Sequence, residues 1–109
     1  MAHAIERSII ITGSTSGIGA ATARRLAGPG IGILVHAKEN ERGVADMCRE
    51  LERAGSATTG LCADLADPEA PHSIVDRARA AFGRIDALIH VAGFPVLGGF
   101  EAEPEVAQE

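Results

Sequence analysis

Apolar residues along this chain keep two rhythms. At Ser8 to Thr12, Ile31 to His36 and Asp86 to Ala92 they form continuous runs, and Thr58 to Ala63 makes a shorter one. Runs of this length bounded by Gly, Pro or Asp suit strands buried on both faces. Between them apolar positions recur every three or four residues, the spacing of amphipathic helices. From Gly17 to about Ala27 the packed face is Ile18, Ala21, Thr22 and Leu26, with Arg24 and Arg25 turned away. Over 40–54 the stripe is Val44, Met47, Leu51 and Ala54, and the charged residues between them make a solvated face. A third helix passes through Ile74, Val75, Ala78, Ala81 and Phe82 to Gly83.

The breaks between these segments have their own chemistry. Gly28-Pro29-Gly30 stops the first helix, glycine as cap and proline as breaker, and Gly55 stops the second. Asp67 and Pro68 are predicted as N-cap and first residue of the third. Strand and helix thus alternate three times before a last strand, and connections of this length favour parallel pairing. Right-handed crossovers with the first strand central give the order 3-2-1-4. The predicted fold is therefore α/β, a three-layer Rossmann-type doubly wound parallel sheet of about four strands. Residues 1–93 form this unit, and 94–109, rich in Gly, Pro and Glu, form an irregular tail.

With 109 residues and 46% hydrophobic content the chain suits one domain. A net charge of -5 without a basic cluster, and only three Phe as aromatics, argue against a nucleic-acid surface. No apolar run approaches a membrane span, and the first residues lack a signal-peptide core. The expected location is the cytoplasm. Cys48 and Cys62 lack metal spacing and are expected as reduced, mostly buried thiols. His3, His36 and His72 make no ligand cluster, and no metal site is expected. His90, inside an apolar strand, is expected as a hydrogen-bonded core residue rather than a base.

The chemistry concentrates between the first strand and first helix, in Thr12-Gly13-Ser14-Thr15-Ser16-Gly17-Ile18-Gly19. Gly13 lets the backbone leave the strand, Gly17 lets a diphosphate approach the helix N-terminus, and Gly19 lets the helix pack closely. Ser14, Thr15 and Ser16 add hydroxyls able to donate to phosphate or ribose. The free amides of the helix start complete an anion site.

Four stretches together resemble the N-terminal half of the short-chain dehydrogenase/reductase family. They are TGSTSGIG at 12–19, Asp64-Leu65 after the third strand, Asp86-Ala-Leu-Ile-His-Val-Ala-Gly93, and Gly98-Gly99-Phe100. His90 and Val91 stand where the family usually has two Asn. The resemblance implies a nicotinamide dinucleotide held by Gly13, Ser14, Ser16, Gly17, Ile18, Gly19, Lys38, Asp64, Leu65, Ala92 and Gly93. Asp64 and the Leu65 amide would meet the adenine. Where relatives that prefer NAD(H) place an acid after the second strand, this chain has His36-Ala37-Lys38, so NADP(H) is favoured over NAD(H). The family's catalytic serine and Tyr-xxx-Lys lie beyond the matched stretch. The chain has no tyrosine and Lys38 is its only lysine, so no catalytic residue is expected. The complete form would move hydride between NADP(H) and a carbonyl or alcohol, truncated here relative to the full fold. The alternative is a catalytically inactive, self-associating or partner-binding paralogue, because a sheet stopped at its fourth strand exposes an edge. Expected partners are accordingly a second copy or a complementary C-terminal chain.

Overall fold

A computed structural model of the chain describes residues 4–91. Its elements are β1 (Arg7–Thr12), α1 (Gly17–Leu26), β2 (Ile31–Ala37), α2 (Glu41–Arg53), β3 (Ala57–Cys62), α3 (Ala70–Phe82) and β4 (Ala87–His90). The four strands form one parallel sheet in the order β3-β2-β1-β4. This is the Rossmann-type arrangement that the alternation of elements implied.

The period of two along a strand explains the layers. Register sets Ile9 beside Ile33 and Ile11 beside Val35, and these residues pack with Ala20 and Ala23 of α1 and with Val44, Met47 and Leu51 of α2. The intervening Ile10 and Leu34, also in register, pack with Ile74 and Ala78 of α3. Both faces of β1 and β2 are therefore covered, which is why their sequences are apolar without alternation. Burying each such side chain contributes about 1.5–3 kcal/mol. The flanks are wetter. β3 is half-buried, and β4 is largely exposed, with Leu88 at 63%.

Three local expectations are corrected. The packed stripe of α1 is Gly19, Ala20 and Ala23, whereas Ile18, Ala21 and Leu26 are exposed. Small residues win this face because they let the helix axis lie close to the sheet. The C-cap of that helix is Ala27 in extended conformation, and the left-handed glycine is Gly30 rather than Gly28. The third helix starts at Ala70 after Glu69, with Pro71 in its first turn where a missing N–H leaves no bond unmade. Asp67 instead closes a preceding turn, its carboxylate accepting from Glu69 N at 2.9 Å and its carbonyl from Ala70 N at 3.0 Å.

Asp86 fastens the start of β4 to β1. Its carboxylate accepts from Ser8 N at 2.8 Å and from the Arg84 guanidinium at 2.9 and 2.8 Å, while its own amide donates to Ser8 O at 2.9 Å. The Arg84 bond, and then the Ser8 amide, hold this carboxyl below the ordinary carboxylate range. A carboxylate whose folded pKa is depressed stabilises the fold above its unfolded value and loses that contribution as pH falls through the folded one. Asp86→Asn is expected to lower Tm at pH 7, with the gap to wild type closing below about pH 4. Thermal melts across that range check it; a gap independent of pH contradicts it.

Candidate functional site

The site begins where β1 ends. Gly13 takes φ 62°, a region unfavourable to any residue with a Cβ, and turns the chain out of the sheet. Polar bonds to β2 hold this turn shut. Gly13 N donates to His36 Nδ1 at 3.0 Å and Ser14 N to the His36 carbonyl at 2.9 Å. The Ser14 hydroxyl donates to Ile11 O at 2.8 Å and accepts from His36 N at 2.9 Å. Ser14 is fully buried, so its hydroxyl holds the scaffold and does not face outward as the sequence suggested.

Gly17 opens α1 at φ 56°, with open space where a Cβ would stand. At Gly19 a Cβ would lie 2.8 Å from the Gly13 carbonyl carbon and closer still to its oxygen. The first turn of the helix therefore rests on the backbone leaving β1. Ser16 is the N-cap in extended conformation; its side chain makes no capping bond, and no acid stands in the first turn. The amides of Gly17, Ile18 and Gly19 have no acceptor among the described residues and carry the partial positive charge of the helix start. Such an end accepts an anion.

The other half of the site lies at the exits of β2 and β3. Lys38 Nζ stands 4.0 Å from Asp64 Oδ2, and both side chains are about half exposed or more. Asp64 Oδ1 accepts from Ala66 N at 2.9 Å, which orients the carboxylate. Leu65 packs on the cluster of Ile10, Leu34, Ile74 and Ala78 and anchors the loop from below. Because the strands are parallel, Gly13, Lys38 and Asp64 all emerge on one rim, as a ligand touching both halves requires.

Sequence reasoning missed the residue that joins the halves. The His36 ring, 1% exposed, bonds Gly13 N through Nδ1 and the Ala63 carbonyl through Nε2 at 2.8 Å. The available signal was a hydrogen-bonding side chain closing an otherwise apolar strand, directly before Ala37-Lys38. His90, expected in the core, is exposed on the rim instead, with Nδ1 2.8 Å from Thr12 Oγ1. Thr12 Oγ1 also accepts from Val91 N at 3.0 Å. Ala92, Gly93, the tail, Gly98 to Phe100 and His3 lie outside the described residues.

Away from this rim, Cys48 and Cys62 are half-buried free thiols in a groove between α2 and β3. Burial pushes both thiols up, and the nearby Glu41 and Glu39 carboxylates raise Cys62 further. Both thiols are poor nucleophiles in this state. Among the described residues no group of His, Cys, Asp and Glu is arranged to hold a metal ion, and no helix is long and apolar enough to cross a membrane.

Comparison with known proteins agrees with this geometry. The family model described as short chain dehydrogenase matches residues 7–108. Over 88 residues the chain is 39% identical to cis-4-hydroxycyclohexanecarboxylate dehydrogenase of Sinomonas cyclohexanicum, covering 81% of this chain and 34% of that protein. It is 32% identical to 3beta-hydroxysteroid dehydrogenase 1 of Eggerthella lenta over 90 residues, covering 83% of this chain and 34% of the relative. The chain thus spans about a third of the length of these curated relatives. A short chain dehydrogenase from Burkholderia cenocepacia J2315, solved in complex with NADP, superposes with a TM-score of 0.78 at 29% identity. That match covers 93% of this chain and 42% of the other.

The two glycines of the helix start differ in what they require. Gly19→Ala drives a methyl into backbone and is expected to destabilise by about 3 kcal/mol. Gly17→Ala meets only left-handed strain, about 1 kcal/mol. Urea unfolding of both variants checks this; equal losses contradict the close approach at Gly19.

Proposed function

Because the chain belongs to the short-chain dehydrogenase family, we propose that it forms the dinucleotide-binding half of an oxidoreductase and takes NADP(H) in preference to NAD(H). One observation carries the proposal: amides without an acceptor among the described residues, at the start of α1, share a rim with the Lys38 and Asp64 pair. The residues fit the group. Open space at Gly17 admits a diphosphate to the amides of Gly17, Ile18 and Gly19, with the uncapped Ser16 hydroxyl beside them. The oriented Asp64 carboxylate would accept from the adenine amino group, and the Leu65 amide would bond the ring. Lys38, following Ala37 where an acid would repel phosphate, would pair with the 2′-phosphate. Ala92 and Gly93 would continue the rim past β4.

When bound, the cofactor supplies hydride to a carbonyl or takes it from an alcohol. In this reading the chain's residues bind and orient; with no tyrosine and one lysine, proposed for the 2′-phosphate, none is assigned the proton transfer. The NADP held by the Burkholderia cenocepacia relative supports the cofactor class, and two free thiols suit a reducing cytoplasm.

A second proposal draws on β4. Its outer edge is unpaired among the described residues and Leu88 is largely exposed, features that suit a self-associating module or a complementary chain. Light scattering on the eluting protein decides it: a dimer or larger species is expected from this alternative, and a monomer at all concentrations contradicts it.

For the leading proposal, calorimetric titration is expected to show saturable binding of NADPH that Gly17→Val abolishes. Lys38→Ala is expected to weaken NADPH roughly tenfold or more, the loss of one charge-assisted bond, and to leave NADH nearly unchanged. Equal losses for both cofactors would contradict the role of Lys38, and binding unmoved by Gly17→Val would contradict the site.

A further inference from the structure

We infer that His36 is a positioning residue of the proposed dinucleotide site: a neutral imidazole fixed in one tautomer, joining the glycine turn to the loop that carries Asp64. The inference rests on the proposed cofactor reading for its functional part and on geometry for the rest.

Both ring nitrogens are committed, and their partners dictate the proton. Gly13 N–H can only donate, so Nδ1 at 3.0 Å must accept. The Ala63 carbonyl can only accept, so Nε2 at 2.8 Å must carry hydrogen. A ring protonated on both nitrogens would set N–H against N–H at Gly13. At 1% exposure no water competes for either contact, and an unmet buried donor is expensive. The same residue's main chain is tied to Ser14 on both sides, Ser14 N to His36 O and His36 N to the Ser14 hydroxyl. His36 is thereby bound by side chain and backbone to the diphosphate turn, and by its far nitrogen to the residue preceding Asp64.

The consequence is a fixed spacing. The amides proposed for the diphosphate and the carboxylate proposed for adenine belong to segments that follow different strands, with β2 between them. The ring spans that gap as one planar unit, so neither loop shifts without straining a buried bond. Pre-setting the distance between two half-sites raises affinity for a ligand that bridges them, and leaves a ligand of one half largely indifferent to the far contact.

Two substitutions separate the bonds. Asparagine places Oδ1 near the Nδ1 position and keeps the Gly13 contact while losing Ala63. Glutamine places its amide nitrogen near Nε2 and keeps Ala63 while losing Gly13. In the full chain, His36→Asn and His36→Gln are each expected to weaken NADPH on the order of tenfold, and His36→Leu further. Inorganic pyrophosphate, which reaches only the glycine turn, is expected to bind His36→Asn as it binds wild type and His36→Gln less well. A merely structural histidine would instead move both ligands together, in step with each variant's loss of Tm. Long-range proton–nitrogen NMR on wild type without ligand gives a readout that needs no variant to fold. An Nε2–H neutral ring is expected, and an Nδ1–H or doubly protonated ring at pH 7 overturns the inference. If wild type binds NADPH and both conservative variants match it, the positioning role falls while the cofactor assignment stands. If wild type binds neither NADPH nor NADH, the cofactor assignment falls and this role with it.

Discussion

The structure depends on how β1 is turned into α1 without leaving a gap. The carbonyl of Gly13 occupies the space where any side chain at position 19 would begin, so helix and turn meet backbone to backbone. That contact sets the height of α1 above the sheet and selects alanines at 20 and 23 for its inner face. It also places the first amides of the helix at the sheet's rim. Apolar packing cannot hold such a turn, because its atoms are mostly polar. Ser14 and His36 hold it instead, by hydrogen bonds buried beneath the surface. Buried polar groups are costly unless matched, and here the turn's buried bonds run to His36 of β2 and to the Ile11 carbonyl of β1.

Parallel strands then gather the site. Since all run the same way, the residues following β1, β2 and β3 emerge together, and chemistry far apart in sequence arrives on one edge. Gly13, Lys38 and Asp64 are about 25 residues apart in the chain, the length of one helix and its loops, and yet share that rim. A reversal of strand order at β1, with β2 to one side and β4 to the other, leaves the crevice in which ligands of open α/β sheets bind.

Much of this was legible because the relevant physics is local. Continuous apolar runs can only be doubly buried strands or helix segments, and their length and punctuation decide between the two. The glycines of the turn announced themselves by spacing, whereas Asp64 was singled out by the family resemblance alone. What stayed hidden depended on contacts between distant segments. Ile18 and Leu26 look like the core of α1 on hydrophobicity, yet close approach rewards small volume over large, and Ala20 and Ala23 took the face. Ser14 resembled a phosphate donor until the His36 amide claimed its oxygen. His36 gave no helical or metal-like spacing to notice, since its two partners are 23 and 27 residues away. The start of α3 moved to Ala70 because Asp67 satisfied a turn before it could cap a helix.

The central claim is that two loops on one rim receive a single ligand. Amide chemical-shift mapping during addition of NADPH measures this directly. The amides of Gly17, Ile18 and Gly19 are expected to move together with those of Lys38 and Leu65, along one binding curve with one dissociation constant. Shifts confined to one of these loops, or centred on the groove between α2 and β3, would contradict it.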